Sequence, residues 1–557
     1  MINKVVKTGL MVALVGGSSA FAQSLTDVKR AIDAEQYQTA NTSLKKIIAT
    51  QPSAEAYFHL GNLYLTSNYP YPDSAKAAFD KGAAADAKSP FGAIGLGTLD
   101  LRNNNAAGAK ANFDKAISLA GKKDNDPYIY AAKALIAAKK PDLTTAVTYL
   151  QKAIAIDPKD AEAYLALGDA YREQQKYSEA FSAYRSAYDY NKNLLRAKIE
   201  LGVINKRSQA WQESINEFNS VLAINPNYGP AHRELAETYN RWARTATETK
   251  DYESRNKQAL DAYVKYMDKT DRSLESRMRY ADFLILAKDY KTLEREAQEM
   301  ARLDKTNPRI YRYLAYSAFE NGNYPASIEA INTFMSKVQK DRIIPQDYVY
   351  LAKAQLKTGD VSKGLSNLKT AASLDASTSV EGLNVIAKEL YDAKKFDLAA
   401  QIYDLTQAAE NAALIDYYWQ GNSYYWDYVT KFNAKANPSK DLLVKADSAY
   451  SKLLQRSPTT EAGWLSRAKV AKLMDDDNQS QALAVGPYEK YVELVTVTKP
   501  EKAEKAKAGL VEAYYYLGAA ASAKNNQSKA REYFNKVLQL DPSNTNAQTA
   551  LKSLASK

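Results

Sequence analysis

The sequence predicts an all-α protein, a solenoid of about fourteen antiparallel helix-pair repeats ending in a C-terminal capping helix. Three observations lead there. A unit of 34 residues recurs along the chain. Within it, apolar residues three and four apart mark one stripe on each of two helices. A proline then recurs at a fixed distance beyond the second stripe.

Taken in order, a partial unit precedes Pro52, and looser copies follow from Ala54 (Tyr57, Leu60, Gly61, Tyr64, then Ala75 and Phe79), Lys88 (Ile94, Gly95, Ala109, Phe113) and Pro127 (Tyr130, Ala134, Ala146). The clearest copies abut. From Ala161, the residues Tyr164, Leu167, Gly168 and Tyr171 share one helix face, and Ala180, Tyr184 and Ala187 share a face of the next helix. From Leu195 come Leu201 and Gly202, then Ser214, Phe218, Val221 and Pro226. Farther on, Leu314-Ala315, Leu351-Ala352 and Ile386-Ala387 repeat the first-helix signal, with Ser327, Gly364 and Ala399 opening the second-helix faces. The segment NAQTALKSLASK, residues 546–557, reads as the capping helix.

Small residues at the eighth and twentieth positions let two helices approach closely, while larger apolar residues fill the space around them. The prolines check this register independently. Pro52, Pro158, Pro226, Pro458 and Pro542 each follow a small residue (Ala40, Ala146, Ser214, Ala446, Ala530) by twelve positions. Proline lacks a donor and disfavours helix in the residue before it, so it stops the second helix.

These positions resemble the tetratricopeptide repeat (TPR) family, whose pattern of aromatic, Leu-Gly, Tyr, Ala, aromatic and Pro they match. The resemblance covers essentially all of the chain beyond residue 22 and implies a right-handed α-solenoid whose first helices line a concave face. It implies an architecture, with no particular activity.

Two units break the period. Ala236 and Ala259 are separated by eleven more residues than the twelve expected, and Gly421 and Ala446 by thirteen more, which predicts lengthened hairpins near 240–258 and 427–445. A shorter insertion, DDDNQSQ, occupies residues 475–481.

The N-terminus has Lys4 and Lys7, an apolar run from Leu10 to Val15, and Ala20-Phe21-Ala22 before Gln23. That is the three-part pattern of a secretory signal peptide, residues 1–22, followed by a continuous solenoid over 23–557. An exported bacterial protein is the expectation, periplasmic in a Gram-negative host and secreted otherwise. No other apolar run approaches the roughly 18 residues of a transmembrane helix.

Composition excludes several chemistries. There is no cysteine, so disulfides, thiol nucleophiles and thiolate metal sites are impossible. The net charge of +11 comes from 75 basic and 64 acidic residues spread along the chain, without the basic run a nucleic-acid-binding tail would show. The two histidines, His59 and His232, occupy unlike repeat positions and read as solvent-facing or groove-lining, which leaves no His-based metal site or triad. Asp475, Asp476 and Asp477 lack the central Gly and closing Glu of a calcium loop, Gly486 standing where the Glu belongs, and read as an exposed turn. No phosphate-binding glycine loop or nucleophile elbow is present. No enzyme, cofactor or metal is expected.

What remains is recognition on a surface. In the family this chain resembles, positions 2, 5, 9, 12 and 13 of each repeat commonly touch ligand. Carried over, they give a basic patch of Arg196, Lys206, Arg207, Arg233 and Arg241, interrupted by Glu237, suited to a carboxylate or phosphate. They also single out YYWQGNSYYWDYV, residues 417–429. With Gly421 at position 8, Tyr417 and Tyr424 are core, while Tyr418, Asn422, Tyr425 and Trp426 face the groove. Seven residues drift only about 20° from two full turns, so Tyr418 and Tyr425, and Trp419 and Trp426, are expected to form a ladder along one helix. The family's clamp for the acidic C-termini of cytosolic chaperones starts with Lys at position 5 and Asn at position 9. Here Asn62 and Asn422 follow Phe58 and Tyr418, so that clamp is absent.

The leading expectation is a non-enzymatic exported scaffold binding protein or peptide partners along its concave face, in envelope assembly or secretion. The alternative is a glycan-binding module stacking sugars on Tyr418, Tyr425 and Trp426. A hydrolase is the third class. Partner identity and oligomeric state are not legible.

Overall fold

The structure is a computed structural model describing residues 24–66, 71–407, 409–476 and 481–555. The signal segment lies outside the described residues, as does Asp477 of the acidic turn. The chain divides into two compact units, 1–296 and 297–557.

Unit 1 contains seven helical hairpins: α1 (Leu25–Asp33) with α2 (Tyr37–Thr50), α3 (Ala54–Leu63) with α4 (Pro72–Ala85), α5 (Pro90–Arg102) with α6 (Ala106–Leu119), α7 (Asp126–Ile136) with α8 (Leu143–Ile156), α9 (Ala161–Glu173) with α10 (Tyr177–Tyr190), α11 (Leu195–Arg207) with α12 (Trp211–Ile224), and α13 (Gly229–Ala243) with α14 (Thr249–Lys269). An eighth, α15 (Leu274–Leu286) with α16 (Tyr290–Leu303), contains the division between the units. Unit 2 continues with α17 (Pro308–Glu320) and α18 (Tyr324–Lys337), α19 (Pro345–Lys357) and α20 (Val361–Leu374), α21 (Ala376–Asp392) and α22 (Phe396–Thr406), α23 (Leu414–Asn433) and α24 (Asp441–Arg456), α25 (Glu461–Met474) and α26 (Val485–Glu493), α27 (Lys507–Ala523) and α28 (Gln527–Leu540), and the single helix α29 (Thr545–Ala555). The described residues thus hold fourteen pairs and a terminal helix, as the period predicts.

The register explains each joint. A Cβ on Gly168 would lie 2.4 Å from the Tyr184 ring, and one on Gly421 would lie 2.6 Å from the Tyr450 ring, so the eighth position is the seat of the aromatic from the second helix. The twentieth position is small for the same reason. Where it is serine, the hydroxyl stays satisfied: Ser214 donates to the Gly202 carbonyl at 2.9 Å and Ser327 to that of Ala315 at 2.8 Å. Many repeats bury such a ring, as at Phe79, Phe113, Phe218, Tyr403 and Phe534, while Leu44, Leu150 and Leu368 take its place in others; each burial is worth roughly 1.5–3 kcal/mol. The predicted prolines follow the last helical residue by two, and the intervening residue is extended, as at Asp157 (φ −129°, ψ 99°) and Asn225 (φ −137°, ψ 95°).

In most pairs the chain reverses between the helices through a left-handed residue, among them Glu35, Asn104, Gln175, Gln209, Lys394 and Asn525 with φ of 57–61°. Among the described residues only Gly322 and Gly359 use glycine at this turn. The long pairs absorb their extra residues chiefly as helix: α14 has 21 residues and α23 has 20, against 14 and 13 in α10 and α9.

In unit 1 the first hairpin meets the seventh. Asp271 accepts from the Gln38 amide at 2.9 Å, the Gln36 side chain donates to the Lys269 carbonyl at 3.3 Å, and Ala34 packs into the cluster holding Tyr228, Tyr263 and Tyr266. Seven hairpins therefore complete a turn in which α1 and its turn press against α13 and α14.

Candidate interaction surfaces

The inner face of unit 1 is a chain of ion pairs, each linking one first helix to the next. Lys133 of α7 meets Glu162 of α9 at 2.5 Å. Arg172 and Asp169 of α9 meet Glu200 and Arg196 of α11 at 2.6 and 2.7 Å. Lys206 of α11 pairs with Glu234 of α13, and Arg233 of α13 reaches Glu35 at the turn after α1. Tyr266 donates to the same Glu35 carboxylate at 2.7 Å, and Tyr184 to Asp169 at 2.9 Å. Burial opposes the charge on Arg196, yet Asp169 and Glu200 hold its guanidinium above its ordinary range.

The predicted basic patch lies along this chain. Arg196, Lys206 and Arg233 are each engaged by carboxylates, and the Lys206 side chain is only 7% exposed. Arg207 is exposed and rests 4.2 Å above the Tyr177 ring, and Arg241 is exposed. Glu237 is taken by Arg279, whose two nitrogens meet its oxygens at 2.6 Å. Two of the acids that neutralise the patch, Glu200 and Glu234, sit at position 6, outside the positions that commonly touch ligand, whereas Asp169 sits at position 9 and Glu35 in the turn after α1. The signal was nonetheless present: Arg172–Glu200 and Lys206–Glu234 are both cation–acid pairs 28 residues apart.

Both histidines are buried, which corrects the solvent-facing reading. His59 packs edge-on against Phe58 and Tyr130, and His232 sits 3.2 Å from the Pro226 carbonyl. Burial pushes both below the usual histidine range. Asp475 is also buried, at 4% exposure. Its carboxylate accepts from the amides of Asp476, Gln481 and Leu483, which corrects the exposed reading for Asp475 itself. Among the described residues no group of three or more His, Cys, Asp or Glu is placed to hold a metal ion.

In unit 2 the stretch 417–429 lies on α23. Tyr424 and Gln420 bind Asp404 of α22 at 2.5 and 2.7 Å, latching one side of the helix. On the other, Asn422 is buried and its oxygen accepts from Tyr450 of α24 at 2.7 Å. Tyr428 is buried against Leu443 and Ala446 and stacks on Phe432. Tyr417, Tyr418, Trp419 and Tyr425 are half-buried, and burial raises the Tyr425 hydroxyl above its ordinary range. Trp426 is 41% exposed.

The rings join sideways. Tyr418 touches Trp419 (centroids 5.5 Å apart), Trp419 touches Tyr391 of α21 (5.0 Å), Tyr391 touches Phe396 of α22 (5.2 Å), Phe396 stacks on Trp426 (6.4 Å), and Trp426 meets Tyr425 (5.2 Å). Lys388 covers Trp419 at 4.7 Å. The expected ladder along α23 is thus replaced by a ribbon that runs through the preceding hairpin. Seven residues rise about 10.5 Å along a helix, too far for ring contact, so rings from the neighbouring pair fill the gap.

Sequence comparison agrees with the repeat register. Models described as TPR repeat or tetratricopeptide repeat match residues 134–171, 165–229 and 511–544. The chain is built from tetratricopeptide repeats. Superkiller complex protein 3 of Mus musculus is 24% identical over 213 residues, which is 36% of this chain and 13% of that protein. The general transcriptional corepressor ssn6 of Schizosaccharomyces pombe is 30% identical over 108 residues, 18% of this chain and 10% of its own. The chain therefore matches only a small part of the length of these relatives. Among solved TPR structures, the C-terminal part of a repeat-containing protein from Cytophaga hutchinsonii is 27% identical, with a TM-score of 0.35, covering 49% of this chain and 99% of that one. A tetratricopeptide repeat protein from Parabacteroides merdae is 18% identical, with a TM-score of 0.31, covering 46% and 94%. TPR arrays are protein-interaction scaffolds, and among the described residues no helix is long and apolar enough to cross a membrane.

Proposed function

We propose that this TPR chain is an exported, non-enzymatic scaffold that holds protein or peptide partners for assembly or secretion at the cell envelope, with the aromatic ribbon of unit 2 as a docking surface. The observation behind this reading is Trp426, a large ring exposed to 41% yet held in place between Tyr425 and Phe396. A rigid aromatic anchor contributes much contact area at little entropic cost, which is why tryptophan dominates protein interfaces. On the same hairpin, Ile415 and Phe432 of α23 and Val444 of α24 are also large apolar side chains left exposed. A sugar platform asks for several open rings, whereas Tyr418 and Tyr425 are half-buried and the Asn422 oxygen is occupied. Protein partners are therefore favoured over glycans.

A photo-crosslinking amino acid at position 426, expressed in the native host, tests this directly. The expected result is a reproducible protein adduct that is absent when the probe stands at Arg241; no adduct, or the same adducts from both positions, overturns the reading. Trp426→Ala should abolish recovery of that partner while changing stability by only about 1 kcal/mol. Export is checked separately, by finding the chain outside the cytoplasm with Gln23 as its first residue.

A further inference from the structure

A cavity of ≈ 300 Å³ opens in unit 1 between α1 and the turns that precede α11 and α13, lined by Asp33, Arg30, Asn193, Leu195, Asn225 and Tyr228 among others. That volume is at the lower end of ligand pockets, enough for one side chain or a small molecule.

Two of its polar groups lack partners. Tyr228 is 4% exposed and its buried hydroxyl makes no hydrogen bond among the described residues. Asp33, nearby on α1, makes neither an ion pair nor a hydrogen bond through its carboxylate there. The cations that face it are committed elsewhere: Arg196 of α11 to Asp169 and Glu200, Lys133 of α7 to Glu162, and Arg30 of its own helix to Asp27 at 3.5 Å. Glu162 and Asp169 of α9 add negative potential at Asp33, and burial with that potential lifts its carboxyl to about 6, so it is still mostly ionised at neutral pH.

The cavity therefore presents a carboxylate with no ion-pair partner among the described residues, only partly offset by Arg196 and Lys133, beside an unpartnered phenol oxygen. Water could satisfy the hydroxyl but would leave the charge unbalanced. A divalent ion would find one carboxylate where it needs several oxygens. A primary ammonium supplies one positive charge and three donors in a compact group.

We propose that this cavity binds a primary ammonium group, either a small alkylamine or a lysine side chain, seated between the Asp33 carboxylate and the Tyr228 hydroxyl. The site is independent of the aromatic ribbon, and binding there does not rest on the scaffold reading. Isothermal titration of the full chain at about pH 7.5 with n-butylamine and with N-acetyl-lysine-N-methylamide tests it, with N-acetylbutylamine as the uncharged control. Expected are saturable binding of at least one amine and none of the control. A stronger lysine derivative assigns the site to a protein side chain; butylamine equal or stronger assigns it to a small amine. Asp33→Asn, an isosteric change, should weaken binding about tenfold or more, as loss of a charged hydrogen bond does, and Tyr228→Phe about threefold. Should either variant misfold, the unmodified chain still decides the matter, since its affinity should fall about fourfold between roughly pH 7.5 and 5.5 as Asp33 gains its proton. Absence of saturable binding, binding of the control, or affinity unaffected by both Asp33→Asn and pH overturns the proposal.

Discussion

The first helices of unit 1 are joined by charge, and the region around α23 in unit 2 is joined by rings. Both solutions start from the same hairpin, with a small eighth residue seated on an aromatic. They differ in what fills the positions left over. In unit 1, cations and acids pair from helix to helix until Arg233 reaches Glu35 and the first hairpin is tied to the seventh. Directional, buried pairs suit a closure that must occur in one register, because an unpaired buried charge is costly. Around α23, ring contacts are less directional and leave Trp426 open to solvent. The first region uses its polar groups on itself; the second keeps surface for something else.

The largest expected effect tests that division. Lys206→Ala strips one of two cationic partners from Glu234, whose side chain is only 11% exposed and which keeps Arg233 at 3.2 Å, and should cost about 3 kcal/mol, the lower end for a broken buried pair. Repeat arrays unfold by parts, so hydrogen exchange is the proper measure: protection should fall in α11 and α13 and stay unchanged in α23. Replacing the pair together, Lys206→Met with Glu234→Leu, should recover most of the loss. If Lys206→Ala is silent, the charge chain is a surface ornament and the contrast between the regions collapses.

Asp33 sharpens the picture of unit 1, because it is the acid the chain of pairs leaves over. Its carboxyl is raised from 3.8 to about 6, so between those values the folded state holds more protons than the unfolded state. Stability therefore falls as pH rises from about 4 to about 6, and the full penalty persists above that, on the order of 2–3 kcal/mol. Asp33→Asn should be more stable than the parent at pH 7 and indistinguishable from it near pH 4. Thermal unfolding of the two chains across that range measures the difference. An equal effect at both pH values would mean that Asp33 acts through packing.

Of the polar contacts that hold α23, the one between Tyr450 and Asn422 is neutral on both sides. Tyr450→Phe leaves the buried Asn422 oxygen without its donor and should cost about 1–2 kcal/mol, less than the charged pair. Urea unfolding with hydrogen exchange across α23 and α24 reads it.

Much of the fold was legible because the helix pair is a local device. Gly168 against Tyr184 and Ser214 against the Gly202 carbonyl follow from spacing within one repeat. What escaped was the relation between repeats. The cations of the basic patch occupy positions that touch ligand, whereas Glu200 and Glu234 occupy position 6, and each meets a cation of the preceding repeat as well as one of its own. The ring ribbon escaped because Tyr391 and Phe396 belong to the preceding hairpin, where no periodicity singles them out. Contact between the first and seventh hairpins depends on small rotations accumulated over several repeats, which no single repeat encodes.

The smallest effect asks whether the two regions share their turn. Gln175 in unit 1 and Lys394 in unit 2 occupy the left-handed conformation, with φ of 61° and 59°. A side chain there costs roughly 1–2 kcal/mol, which glycine avoids, while glycine loses about 0.5–1 kcal/mol through the greater freedom of its unfolded chain. Gln175→Gly and Lys394→Gly should each therefore gain about 0.5 kcal/mol, seen as a small rise in the urea midpoint. Gly322 and Gly359 already use that solution, so Gly359→Ala should move the other way by a similar amount. Equal gains at 175 and 394 would place the difference between the regions wholly in their side-chain chemistry, whereas a gain in only one would trace it back to the hairpin itself.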